Sequence, residues 1–207
     1  MQDKKIEWGK EIIQAGSDVA SLANDSGIPG IGLLAKFVQV FYDKHLQKRF
    51  EKFLSDSEID GEMMHRICED ENYSNYLYAA LETIRQTHSK VGIIALALIY
   101  KDHWDDGAYL MAATRAFSQI SDKTIDAFIS LHESIPTDRN YLVLKVQKDG
   151  EGHFHDLYNE AVELISRNFF VLSTSSVVHA NGPVQGMKWN HTDSFYEYCQ
   201  AAKARAK

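Results

Sequence analysis

The sequence predicts a mainly α-helical fold with a small β-sheet near the C-terminus. Apolar residues recur at steps of three and four through most of the first 135 residues, which is the spacing that places side chains on one face of a helix. After Pro136, short runs rich in β-branched and aromatic residues indicate strands. The chain is therefore expected to begin with a helical bundle and to end with a region that mixes helices and strands.

The stretch from Tyr73 to Tyr100 is the strongest helix signal. One face of it is marked by Leu77, Leu81, Ile84, His88, Val91, Ala95 and Leu98. From Val91 the run VGIIALALIY is apolar on all sides, and its ten residues cover about 15 Å as a helix, half of what a membrane span needs. We therefore expect a helix enclosed by protein, with His88 buried and hydrogen-bonded. A kink or break over 87–89 is left open, because the hydroxyl residues there weaken a helix.

Other helices are predicted on both sides of this stretch. An amphipathic helix is expected over residues 4–24, and a second from about Ile31 to Leu54, separated by the turn GIPGIG at Gly27–Gly32. A short helix is expected to cover the core with Met63, Met64, Ile67 and Cys68. Two more follow Gly107; the second is capped by Ser121 and stopped by Pro136.

The last third is predicted to contain a strand at Tyr141–Gln147 and a helix at about Phe154–Arg167. The predicted helix has a buried set of Leu157, Ala161, Val162, Leu164 and Ile165. The runs FFVLSTSSVVHA and VQGMKW flank Asn181-Gly182, a pair suited to a tight hairpin turn. Val177 and Val178 are expected opposite Val184–Met187, and a last helix is expected to be capped by Asn190 or Thr192.

A helix followed by a hairpin and then by KWNHTDSFYEYC resembles the end of a winged-helix domain, over about residues 107–203. The chain leaves room for one helix between its first strand and the hairpin, whereas a winged helix has two. The whole layout is similar to uncharacterised bacterial and prophage proteins that have a helical N-terminal half and a degenerate winged-helix tail. The resemblance implies a winged-helix-like α+β region but no particular activity. The expected domains are a helical bundle over 1–106 and this region over 107–207.

The charge of the chain bears on its partners. Residues 1–140 carry 22 acidic and 15 basic side chains, whereas residues 141–207 carry seven of each. The net charge of -7 therefore arises in the helical part, and it disfavours general binding to phosphate backbones and anionic lipids. A basic or neutral protein partner fits better, and a homo-oligomer is left open. The acidic segment 55–71 could face such a partner or the basic side chains just before it.

The two cysteines, Cys68 and Cys199, match neither a disulfide framework nor a metal motif, so reduced thiols in the cytoplasm are expected. The sharpest metal candidate is His153, His155 and Asp156, with His179 or His191 to complete it. We favour chance over a metal for this group, since nine histidines make such pairs common. No cofactor is expected.

The sequence contains none of the common hydrolase or metalloprotease motifs, which favours a non-enzyme. The leading hypothesis is a protein-interaction or regulatory module, with contacts at the hairpin tip Asn181, Gly182 and Pro183 and at Arg167 and Lys188. One alternative is a winged-helix DNA binder that uses these two cations and others: Lys145, Lys148, Lys203, Arg205 and Lys207. A second alternative is a peripheral membrane protein that binds through its first helix and Gly27–Tyr42.

Overall fold

The computed structural model describes residues 44–135, 141–144, 158–172, 184–188 and 191–206, and these residues are mainly α-helical. The helices of this part of the chain are α1 (Lys44–Asp56), α2 (Gly61–Glu69), α3 (Glu71–Gln86), α4 (Lys90–His103), α5 (Gly107–Phe117), α6 (Asp122–Glu133), α7 (Tyr158–Ser166) and α8 (Thr192–Ala206). Three short strands, β1 (Tyr141–Leu144), β2 (Val171–Leu172) and β3 (Val184–Met187), pair antiparallel in the order β1-β3-β2. The helix predicted over 4–24 and the turn at Gly27–Gly32 lie outside the described residues.

The chain forms two compact units. The first comprises residues 1–87 and 96–119, and the second comprises residues 88–95 and 120–207. Helix α4 therefore contributes its first turns to the second unit and the rest to the first. The predicted domains, 1–106 and 107–207, stay a prediction.

The core of the first unit is built from buried side chains of α1 to α5. Phe53 of α1 is fully buried and its ring meets that of Tyr100 edge to face, with 5.7 Å between the centroids. Met63 and Ile67 of α2 are buried, which confirms that this short helix covers the core. Ile84 of α3 is fully buried as well.

The predicted helical face between Tyr73 and Tyr100 is interrupted after α3. Thr87 has an extended backbone, and its hydroxyl donates hydrogen bonds to the carbonyls of Thr83 and Phe117, both at 2.8 Å. The break changes the direction of the following side chains, so His88 is exposed and the prediction of a buried histidine is wrong. Residues 92–100 are all buried, which confirms that this part of α4 is enclosed on every side.

The second unit has an aromatic core around Phe128 of α6. The centroid of its ring lies 4.6 Å from that of Phe169 and 5.5 Å from that of Phe170, and Phe169 also meets Phe195 of α8 at 5.6 Å. Ser121 caps α6 by accepting a hydrogen bond from the N–H of Thr124, as predicted. The unit is thus held by rings from α6, α8 and the segment that follows α7.

Helix α7 covers part of the predicted helix Phe154–Arg167, and two of its predicted core residues, Ala161 and Leu164, are buried. Val162 is 45% exposed, so its predicted burial is wrong. The helical stripe that faces the core is narrower than the apolar pattern of the sequence. Thr192 is the first residue of α8, and Phe195, Cys199 and Ala202 of this helix are buried in the core.

The predicted winged-helix-like α+β region over 107–207 is wrong, because the described residues remain mainly α-helical there. Helices α5 to α8 have 11, 12, 9 and 15 residues, whereas the strands have four, two and four. The described residues between β1 and β2 form one helix, α7, where a winged helix has two. The run that begins at Phe169 was predicted to be a strand because its residues favour β-structure. Phe169 and Phe170 instead fill the aromatic core, and the strand begins only after them.

The register predicted for the hairpin is also wrong. Val171 lies opposite Met187 and Leu172 lies opposite Gly186, so Val177 and Val178 are not the partners of these β3 residues. Phe169 and Phe170, which are buried just before β2, fix where this strand begins. The register between β2 and β3 follows from that starting point. The predicted turn at Asn181-Gly182 lies outside the described residues.

Candidate interaction site

Carboxylates lie on alternate residues at Glu58 and Asp60, between α1 and α2, and at Glu62 in the first turn of α2. Glu58 has a positive φ of 49°, a conformation that residues other than glycine adopt uncommonly. Asp60 caps α2, because its side chain accepts a hydrogen bond of 2.9 Å from the N–H of Met63. The turn and the cap together fix the backbone that carries the three carboxylates.

These carboxylates border a cavity of about 280 Å³ within the first unit. Its lining consists of Glu58, Asp60, Glu62, Met63, Lys101 and Trp104. Three side chains of this lining are acidic and one is basic, so negative charge is in excess. The thioether of Met63 and the indole of Trp104 supply the apolar surface.

Lys101, in the last turn of α4, neutralises one of the three carboxylates. Its Nζ lies 3.0 Å from Oε1 of Glu58, and each side chain is 36% exposed. A pair with this exposure contributes about 0–1 kcal/mol to stability, because solvent screens it. Among the side chains of the lining, the excess of negative charge is therefore on Asp60 and Glu62, and Glu62 pairs in turn with Arg66, which lies outside the lining.

Arg66 engages two of the residues that line the cavity. Its Nη2 lies 3.3 Å from Oε1 of Glu62, one turn earlier on α2. Its guanidinium carbon lies 5.4 Å from the centroid of the Trp104 ring, which is cation–π distance. The indole and the carboxylate thus hold a guanidinium group that the chain itself supplies.

Trp104 is positioned by an aromatic cluster and by the turn that leads from α4 to α5. The ring of Tyr73 lies 5.3 Å from the indole, and the ring of Tyr76 lies 6.2 Å from that of Tyr73. A Cβ atom on Gly107 would lie 2.1 Å from Cζ of Tyr76, so the glycine makes room for this ring. Asp106 caps α5 and ends the turn. The indole is therefore supported by neighbouring rings on α3.

The chemistry of the cavity suits a cationic group. Carboxylates attract ammonium and guanidinium ions, and the face of an indole adds cation–π attraction. Pockets for drug-sized ligands have volumes of about 300–1,000 Å³, so a cavity at the lower edge of this range has room for about one side chain.

The two described cations of the predicted contact set lie elsewhere. Arg167 and Lys188 belong to the second unit, whereas the cavity is formed within the first. Nε of Arg167 lies 2.8 Å from a carboxylate oxygen of Glu163, and Nζ of Lys188 lies 2.8 Å from one of Asp193. The hairpin tip, Asn181, Gly182 and Pro183, lies outside the described residues. The predicted contact set therefore stays a prediction.

Three cations of the DNA-binding alternative have carboxylate partners. Besides Arg167 and Lys188, Lys203 pairs with Asp126. Lys145, Lys148 and Lys207 lie outside the described residues, and Arg205 is exposed on α8. A phosphate backbone would have to replace these internal carboxylates.

A second polar cluster, which the sequence did not indicate, lies in the second unit. Nε2 of His132 lies 2.6 Å from Oδ1 of Asp193, and the imidazole stacks on the ring of Tyr196 at 3.9 Å. The hydrogen bonds from Lys188 and then His132 hold the pKa of Asp193 below its usual value. These residues come from three separated segments, so no local spacing could have revealed the cluster.

Of the residues predicted as possible metal ligands, the structure describes His191 alone. His153, His155, Asp156 and His179 lie outside the described residues, and His191 stacks against Phe195 at 6.0 Å. Within the described ranges, no group of three or more His, Cys, Asp or Glu side chains is arranged to hold a metal ion. The thiols of Cys68 and Cys199 are free, and burial raises the pKa of each.

The sequence showed the acidic segment of the cavity but missed Lys101 and Trp104. These two residues follow the segment by some forty positions, and they reach it at the end of α4, where Lys101 pairs with Glu58 and the indole of Trp104 meets the guanidinium of Arg66. In the sequence, Asp102, His103, Trp104 and Asp105 form a polar stretch before Gly107, which by itself does not indicate a cavity.

None of the described helices combines the length and the apolar character that crossing a membrane requires. The stretch Gly27–Tyr42, which motivates the membrane-surface alternative, lies outside the described residues. No protein-family model, curated protein or solved structure matches this chain.

Proposed function

We propose that this chain is a non-catalytic protein-interaction module, working in the cytoplasm of a bacterial or phage-infected cell, and that its first unit binds a basic segment of a partner protein. The observation that carries the proposal is the cavity in which Asp60, Glu62 and Trp104 meet. An acidic rim with an aromatic wall attracts cationic side chains and disfavours phosphate.

The charge around the cavity supports a basic partner. Glu62, Glu69 and Glu71 are exposed on α2 and at the start of α3, where the one basic residue between 55 and 71 is Arg66. A cluster of negative charges such as this one attracts a basic partner to the surface and raises the association rate at low salt. Anionic partners, such as nucleic acid or a lipid surface, are repelled by the same charges.

The proposal is tested with two heptapeptides of alternating residues, one of glycine and arginine and the other of glycine and glutamate. Isothermal titration calorimetry of the full chain should show saturable binding of the arginine peptide and none of the glutamate peptide. Raising the sodium chloride concentration from about 50 to about 300 mM should weaken binding, because exposed charges are screened.

A matched pair of variants locates the site. Asp60→Asn with Glu62→Gln removes two charges from the cavity, and asparagine keeps the helix cap of α2. Glu69→Gln with Glu71→Gln removes two exposed charges outside the lining. The first pair should weaken binding by on the order of tenfold, or about 1.4 kcal/mol, and the second by much less. Equal losses from the two pairs would contradict a site at the cavity.

A further inference from the structure

The side chain of Arg66 has the chemistry that the cavity is proposed to recognise. Its guanidinium lies against the indole of Trp104, and it also pairs with the carboxylate of Glu62. Both of these partners line the cavity, whereas Arg66 does not. The chain therefore already supplies a guanidinium group to two of the residues that a basic partner would contact.

We propose that Arg66 is an intramolecular competitor, and that an arginine side chain of the partner segment replaces it on Trp104 and Glu62. This inference rests on the proposed function, since it concerns the same cavity. Binding and release of Arg66 are then one exchange, in which one guanidinium leaves as another arrives.

The contacts of Arg66 are weak enough for this exchange. Its side chain is 50% exposed, and that of Glu62 is 71% exposed, so water competes for both partners. The spacing of four residues on one helix makes the ion pair local, and its release requires only a change of rotamer. The fold of α2 would remain, because its cap and its buried residues, Met63 and Ile67, are not involved.

The geometry favours arginine over lysine as the incoming group. A guanidinium is planar and can stack on an indole while it donates hydrogen bonds to a carboxylate, as Arg66 does. An ammonium is a compact, strongly hydrated charge that cannot reproduce both contacts at once. The arginine heptapeptide should therefore bind several-fold more tightly than its lysine counterpart.

The test removes the competitor. Arg66→Gln should tighten binding of the arginine heptapeptide about threefold to tenfold, because Trp104 and Glu62 are then vacant. Arg85→Gln is the matched control: Arg85 pairs with Glu82 on α3, its side chain is 48% exposed, and it does not line the cavity. This control should change the affinity by less than about twofold, although it changes the net charge by the same amount.

A second variant covers the case in which Arg66→Gln loses its fold, as judged by circular dichroism. Arg66→Lys keeps the charge but not the planar stack, and it should also tighten binding, by a smaller factor. Unchanged or weaker binding in both folded variants would overturn the competition while leaving the proposed function in place. Failure of the wild-type protein and of all variants to bind any basic peptide would instead overturn the proposed function, and this inference with it.

Discussion

The carboxylate of Asp122 in α6 accepts a hydrogen bond from the hydroxyl of Ser89, the residue that precedes α4. The same oxygen accepts a second hydrogen bond, of 3.2 Å, from the backbone N–H of Val91. The Ser89 hydroxyl oxygen in turn accepts one of 2.7 Å from the N–H of Gly92. The start of α4 is thus capped by its own serine and by a side chain from another helix, which satisfies N–H groups that a helix end leaves open.

Asp122→Ala should destabilise the second unit, because the buried Ser89 hydroxyl and the N–H of Val91 both lose their acceptor. The loss should be about 1–2 kcal/mol in the free energy of unfolding measured with urea. Asp126→Ala, on the same helix, removes an exposed ion pair with Lys203 and should cost less. Equal losses would mean that the contact with Ser89 adds nothing beyond a surface charge.

The break before α4 shows the limit of periodicity in this chain. The apolar pattern predicted α3 and the enclosed part of α4, since both depend on local spacing. The same spacing of apolar residues continues past Thr87, where the helix is broken. The pattern therefore placed His88 on the buried face, although the residue is exposed. The acceptors that stabilise the break, the carbonyl of Phe117 and the carboxylate of Asp122, lie about thirty residues away, so the local sequence could only leave the break open.

Two glycines in equivalent helix positions should respond differently to substitution. Gly61 and Gly107 are each the first residue of a helix, after an aspartate cap. Gly61→Ala meets no atom within 4 Å and should be neutral or stabilising by up to about 1 kcal/mol. Gly107→Ala would collide with the ring of Tyr76 and should cost about 1–3 kcal/mol.

Thermal unfolding followed by circular dichroism compares these two variants directly. The cost of Gly107→Ala should largely vanish in a background of Tyr76→Ala, since the ring that creates the collision is absent. A cost that persists in that background would place its cause in the backbone of Gly107 and not in the Tyr76 ring.

The stability of the second unit should depend on pH through Asp193. Hydrogen bonds from Lys188 and His132 lower the pKa of this carboxyl, so the unfolded chain binds its proton more readily than the folded chain. Its contribution is fully present above the ordinary aspartate pKa of about 3.9, and it is lost as the pH falls through the lower pKa of the folded state.

Carbon-detected NMR titration of the Asp193 carboxyl checks this directly. Lys188→Met removes the hydrogen bond with the largest effect and should raise the measured pKa toward the ordinary value. Asp193→Asn should flatten part of the loss of stability in acid. A carboxyl that titrates at its ordinary pKa in the wild-type protein would contradict the contacts with Lys188 and His132.

The candidate site was predictable in its charge but not in its shape. The excess of acids over 55–71 is visible in the sequence, and it pointed to a partner-facing or intramolecular charge match. The indole of Trp104 and the ammonium of Lys101 reach this segment through the path of α4, which no spacing within the segment encodes. Asn181-Gly182 is a strong local signal for a hairpin turn, whereas no local pattern of residues indicates a cavity formed by distant segments.

The proposed function depends most on Trp104 being the aromatic wall of a binding site. The chain has three tryptophans, Trp8, Trp104 and Trp189, so a ¹H–¹⁵N spectrum shows three indole N–H signals. The signal that disappears in Trp104→Phe is that of Trp104. Titration of the full chain with the arginine heptapeptide should move the Trp104 signal saturably, with the same affinity that calorimetry gives. Saturable binding that leaves the Trp104 signal in place would contradict a site at this cavity.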